Sequence, residues 1–173
     1  VSIHDNIFVG PAWSALFLAD HNVPLEFATI YNNTIYAVEN GIRLGNAARE
    51  TSAAVGNLIF SANPVSGPLA EQRDNVTAAV ADAANYLSSP STTLGAMNFY
   101  PLVGAAQGDA LDLSRFAGDK GYSLDFNGQP KGDFRYRGAY AGDGQNPGWQ
   151  LDAGLKATIG AKVPRPPTDI RVE

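Results

Sequence analysis

Apolar and polar positions in the first third of the chain recur in one short phrase, used three times. Ile3-His4-Asp5-Asn6-Ile7-Phe8, Ile30-Tyr31-Asn32-Asn33-Thr34-Ile35 and Ala54-Val55-Gly56-Asn57-Leu58-Ile59 superpose with Asn6, Asn33 and Asn57 in one column, at intervals of 27 and 24 residues. The residue three before each Asn (Ile3, Ile30, Ala54) and the residue two after it (Phe8, Ile35, Ile59) are apolar. Between the copies lie Leu16-Phe17-Leu18 and Gly41-Ile42-Arg43-Leu44, whose Leu18 and Leu44 are 26 apart. A period of roughly 20 to 50 residues marks a solenoid.

A coil of three short strands stacked at about 4.8 Å satisfies this spacing. Identical residues in register then lie above one another, so a column of Asn at a bend can pass amide hydrogen bonds up the stack. Asn also tolerates the left-handed backbone such a bend requires. The period is lost after Asn63-Pro64. Beyond it, Asp74 or Asn75 can cap a helix with Val76, Val80, Ala84 and Leu87 on one face, and Ser88-Ser89-Pro90 stops it. Such a helix is expected to cover the open end of the coil. Residues 92–118 read as extended segments and loops. Asn127-Gly128 predicts a hairpin or a bulged loop between Tyr122 to Phe126 and Phe134 to Tyr140, and Trp149 to Ile159 reads as a strand or a short helix.

The run Ile30-Tyr31-Asn32-Asn33-Thr34-Ile35-Tyr36, followed by Gly41-Ile42-Arg43-Leu44 and Gly56-Asn57-Leu58-Ile59-Phe60, resembles right-handed parallel β-helix proteins of the pectate-lyase-like group. Leu124-Asp125-Phe126-Asn127-Gly128-Gln129-Pro130 with Gly138-Ala139-Tyr140 resembles the DxxGxxR … GAY segment that closes many bacterial members. Lys131 or Arg135 stands in for the usual basic residue. The fold class expected is therefore all-β: a right-handed parallel β-helix fragment of two to three coils, with one capping α-helix and an irregular C-terminal segment. Residues 1–162 form its C-terminal part, with coils over 1–62 and capping segments over 63–162. Val1 enters a rung with no cap ahead of it, so upstream coils or self-association through that end are expected. Residues 163–173 read as a Pro-rich linker into a further domain, since PPTDIRVE resembles the opening strand of a fibronectin type III module.

Composition narrows the partners. Charged residues make up 17% of the 173, Gly and Pro number 18 and 11, and the formal charge is −5. That balance provides no electrostatic footprint for nucleic acid. No apolar run is long enough to span a membrane as a helix, and without cysteine there are no disulfides or thiolate metal sites. The resemblance implies an exported protein, secreted or at the cell surface, and a polysaccharide as ligand.

The candidate chemistry follows from that implication. Lyases of the resembling group use a Lys or Arg base with carboxylate-held calcium, which makes Arg43, outward between Ile42 and Leu44, the first candidate. Glu39, Arg49, Glu50 and Asp20 lie around it in the chain. His21 follows Asp20, and both join Arg43 as catalytic candidates. His4 precedes Asp5, but strand alternation is expected to point the two apart. Arg43, Glu39, Tyr31 and Trp13 are the candidate sugar-binding residues, with Tyr36 and Trp149 as further aromatics. Asp125, Asn127 and Asp133, or Asp143 and Asn146, are oxygen ligands that could hold calcium, although the full calcium-loop pattern is absent and no metal is required. Asn32-Asn33-Thr34 and Asn75-Val76-Thr77 match glycosylation sequons. The functional expectation is a structural or carbohydrate-binding region without catalysis of its own. The alternative is part of a polysaccharide lyase or glycoside hydrolase acting on an acidic polysaccharide.

Overall fold

A computed structural model describes residues 1–10, 13–19, 27–45, 52–154 and 156. The chain winds through three strands per turn. The first rung is β1 (Ser2–His4), β2 (Ile7–Gly10) and β3 (Ser14–Leu18), and the second is β4 (Thr29–Tyr31), β5 (Thr34–Ala37) and β6 (Asn40–Leu44). The third is β7 (Ala53–Val55), β8 (Leu58–Phe60) and β9 (Asn63–Ser66), and a fourth, shorter rung adds β10 (Glu71–Arg73) and β11 (Val76–Ala78). Three parallel sheets result: β1-β4-β7-β10, β2-β5-β8-β11 and β3-β6-β9. This architecture is compatible with a β-helix solenoid.

The register is the one the repeated phrase demands. Ile3 pairs with Ile30 and Ile30 with Ala54; Phe8 pairs with Ile35 and Ile35 with Ile59; Leu16 pairs with Ile42 and Ile42 with Val65. These three columns fill the coil, where Ile30, Ile35, Ile42, Ala54 and Ile59 are fully buried. Each large aliphatic side chain so buried contributes about 1.5–3 kcal/mol. In the fourth rung the same columns end in the exposed Gln72 and Thr77. A polar last layer suits the end of a stack.

The amides of Asn6, Asn33 and Asn57 form a ladder, and Asn75 extends it. Nδ2 of Asn6 donates to Asn33 Oδ1 at 3.3 Å, that of Asn33 to Asn57 Oδ1 at 3.1 Å, and that of Asn57 to Asn75 Oδ1 at 2.9 Å. Each Oδ1 also accepts the backbone N–H of the Asn above it, at 2.9–3.1 Å. The residue before each ladder Asn is left-handed: Asp5, Asn32, Gly56 and Asp74 have φ of 57°, 51°, 65° and 55°. The bend is thus a ridge of left-handed residues running the length of the coil.

The expected capping α-helix is absent. Asp74 and Asn75 enter the fourth rung, β11 pairs in parallel with β8, and only a 3-10 helix, Val80–Asn85, follows. The unpaired edge of β8 supplies backbone partners that an isolated amphipathic turn cannot match, so tertiary pairing overrides the helical spacing. The coil strands therefore continue past residue 62. Leu87 lies not in a helix but in β12 (Leu87–Ser89), antiparallel to β13 (Asn98–Pro101). A turn forms at Asn127-Gly128, where Gly128 (φ +76°) donates its N–H to Asp125 O and Leu124 bridges antiparallel to Pro130. The flanks Tyr122 to Phe126 and Phe134 to Tyr140 form no strands, however, and Tyr136 bridges to Gln107 instead. Leu151 bridges antiparallel to Met97, whereas the rest of the Trp149 to Ile159 segment has Lys156 as its last described residue. The Pro-rich stretch 163–173 lies outside the described residues.

Residues after the fourth rung wrap the outside of two sheets. Leu111, Leu113, Phe116 and Phe134 pack on Tyr31, Ala53 and Val55 of the first sheet. Ala83, Leu87, Phe99, Tyr100, Ala106 and Tyr140 pack on Leu58 and Phe60 of the second. A strap from Asp125 to Tyr140 runs along the left-handed ridge. Lys131, with its side chain 2% exposed, pairs with Asp5 Oδ1 at 2.8 Å and donates to Gly138 O. Gly138 N–H donates to Gly56 O and Ala139 N–H to Thr34 Oγ1. Arg137 Nε donates to Asp74 O at 3.1 Å on the fourth rung. Gly138 is obligatory there, since φ is +91° and a Cβ would sit 2.6 Å from Thr34 Oγ1.

Candidate functional site

The third sheet is the one that no later segment covers among the described residues, because neither outer cluster contains any of its side chains. Alternation along β6 turns Ile42 and Leu44 inward and Arg43 outward, as the sequence pattern requires. Register places Phe17, Arg43 and Ser66 in one outward column. The Arg43 guanidinium lies 4.9 Å from the ring centre of Trp13 and 5.4 Å from that of Phe17, and the two rings meet edge to face. Trp13 is 51% and Phe17 44% exposed. Asn40 Nδ2 donates to Trp13 O and fixes the backbone that presents the indole.

Beside this column is an open depression of about 590 Å³, lined by Asn40, Arg43, Asn63, Pro64 and Ser66 among others. Among the described residues no carboxylate lies within 4 Å of the Arg43 guanidinium. Glu39 is exposed in the turn before β6, where its carbonyl accepts the Asn63 N–H. The combination is an exposed aromatic and guanidinium platform edged by amide and hydroxyl groups. It can stack on an apolar ring face and donate hydrogen bonds to an anionic or hydroxylated ligand.

No family model, curated protein or solved structure matches the chain. The assignment of roles therefore stands on geometry.

Tyr31 is not part of the platform. It does point out of the coil, but it is fully buried, stacked between His4 at 4.7 Å and Phe116 at 4.5 Å, with its hydroxyl donating to Asp119. Burial first, and then Asp119, raise its pKa. Tyr36 packs on Phe99, and Trp149 lies against Phe126. His21, Asp20, Arg49 and Glu50 lie outside the described residues. Most of the candidate calcium oxygens have other partners, whereas the buried Oδ1 of Asn127 has none among the described residues. Asp125 accepts the N–H groups of Asn127, Gln129 and Ala141, Asp133 pairs with Arg135, Asn127 donates to Asn146, and Asp143 accepts from Gly104 and Gln107. Asn32 is fully buried, which removes it as a glycan acceptor.

His4 and Asp5 are brought together, contrary to the alternation rule. Asp5 is left-handed at φ 57°, which turns its carboxylate back to the same side, 2.7 Å from His4 Nδ1. Alternation holds only while the backbone is extended. Asp5 at a bend before Asn6 was the available signal, because Asp is among the few residues that visit this conformation. A cleft of about 310 Å³ opens beside the pair, lined by His4, Asp5, Asn6, Leu124, Phe126 and Lys156 among others.

Proposed function

We propose that the chain is a polysaccharide-binding segment of an exported right-handed parallel β-helix of the pectate-lyase-like kind, and that the open third sheet is its glycan surface. The observation that carries this reading is Arg43 resting on Trp13 and Phe17 on the uncovered sheet face. The aromatic rings supply a surface for the C–H face of a sugar, and the guanidinium supplies a bidentate donor for a carboxylate. The filled interior backs that face through Leu16, Ile42 and Leu44, which limits the conformational entropy lost on binding.

The test is titration of the chain with polygalacturonate and with a neutral glucan, followed by tryptophan fluorescence and calorimetry. Trp13→Ala is expected to weaken polygalacturonate binding by roughly tenfold, the loss of about 1.4 kcal/mol of aromatic contact. Arg43→Ala removes the preference for the acidic polymer and its dependence on salt. Binding unchanged in both variants overturns the reading. The lyase alternative adds an unsaturated product, formed by the wild type and lost in Arg43→Ala.

A further inference from the structure

The cleft beside His4 shares no residue with the third-sheet platform. Nδ1 of His4 is committed to the Asp5 carboxylate at 2.7 Å, while Nε2 has no partner among the described residues. A carboxylate on one ring nitrogen keeps the proton there and leaves the other nitrogen as a lone-pair acceptor. The ring is held against rotation by stacking on Tyr31, with planes 6° apart. Asp5 is held in turn by the ammonium of Lys131, 2.8 Å from Oδ1. An oriented imidazole, a carboxylate behind it and a cation fixing the carboxylate are the parts of a general-base site.

The rest of the cleft is part apolar and part charged. Leu124 and Phe126 provide an apolar wall, and Lys156 places its ammonium 3.4 Å from the centre of the Phe126 ring. Asp125 also lines the cleft, but both its oxygens are engaged by backbone N–H groups and neither is free to act as an acid. Without a second catalytic carboxyl, glycoside cleavage by the paired-carboxylate route is not available in this cleft. A lone imidazole base is matched to a bond with a good leaving group.

We propose that this cleft hydrolyses small carboxylic esters, with His4 Nε2 as the general base. Nε2 takes a proton from a water molecule as the water oxygen bonds to the carbonyl carbon. Collapse of the tetrahedral adduct breaks the carbon–alkoxide bond, and the imidazolium returns the proton to the departing alkoxide. Acid and alcohol leave, and no oxidant or cofactor is consumed. Asp5 is a positioning residue, and the Lys156 ammonium, which donates to Phe126 O, lines the same cleft.

The full chain is assayed with 4-nitrophenyl acetate. Saturable turnover is expected, slower in D2O because a proton is in flight. His4→Gln and His4→Phe are each expected to lower kcat/KM by roughly 100-fold or more, the usual weight of a general base. Phe at this position keeps the stack on Tyr31, so the second variant retains the fold, which its melting curve checks. Both variants keep His21, so their residual rate measures everything that is not His4. Asp5→Asn is expected to lower kcat about tenfold with KM unmoved, a split that a merely structural role does not produce. Wild-type turnover that is unsaturable and no faster than equimolar free imidazole overturns the proposal. So does a folded His4→Phe protein with the wild-type rate.

Discussion

Replacing Asn57 with alanine tests the ladder at its most enclosed step. Asn57 is fully buried; its Nδ2 donates to Ile30 O at 2.9 Å and to Asn75 Oδ1, and its Oδ1 accepts the Asn33 N–H at 3.0 Å. After truncation the Asn33 N–H is left inside the bend with no acceptor, and the Ile30 carbonyl loses an amide donor. One orphaned buried group costs about 1–3 kcal/mol and a lost hydrogen bond about 1, so the whole change costs about 3 kcal/mol. Asn6 occupies the same column but is exposed. Water replaces its amide contacts, and Asn6→Ala is expected to cost about 0.5 kcal/mol. Asn57→Asp is expected to be at least as harmful as alanine, because a second acceptor then faces Ile30 O and Asn75 Oδ1. Urea unfolding followed by circular dichroism, extrapolated to water, measures all three. Asn57→Ala within 1 kcal/mol of Asn6→Ala would show that position in the stack does not set the cost, and the reasoning fails.

Lys131→Met removes the cation from a buried pair and leaves Asp5 to His4 alone; a loss of about 3–5 kcal/mol in urea unfolding is expected, less than additive with Asp5→Asn. Equal and additive losses would separate the two side chains energetically. Burial raises the hydroxyl pKa of Tyr31 and Tyr140, which in the unfolded chain ionise near 10.0. Their contribution is therefore complete below that pH and is lost as pH rises above it, by about 1.4 kcal/mol per unit for each tyrosine. Melting temperatures measured from neutral to strongly alkaline pH should bend downward there, less steeply in Tyr31→Phe; a flat profile contradicts the assignment.

The column of Asn6, Asn33 and Asn57 and its apolar neighbours was legible because register makes stacked positions chemically alike. Asn75 was not. The interval to it falls to 18 residues, and Val76, Val80, Ala84 and Leu87 happen to carry helical spacing. A free strand edge decided between the two, and one sequence does not display edges. Tyr31 shows a second limit: alternation gives the direction of a side chain, not whether a segment eighty residues later lies over it. The His4 and Asp5 contact was hidden by the opposite error, since a single left-handed residue suspends alternation. The outward direction of Arg43 was legible because β6 is extended throughout.

The strap on the left-handed ridge changes how the stack can come apart. In a linear array each layer is held only by its neighbours, so the terminal layers peel away first and at low cost. Here one continuous peptide is riveted to the first rung through Lys131 and to the fourth through Arg137. Loosening either end therefore pulls on the other, and the described rungs are bound to fail together like a laced spine rather than page by page.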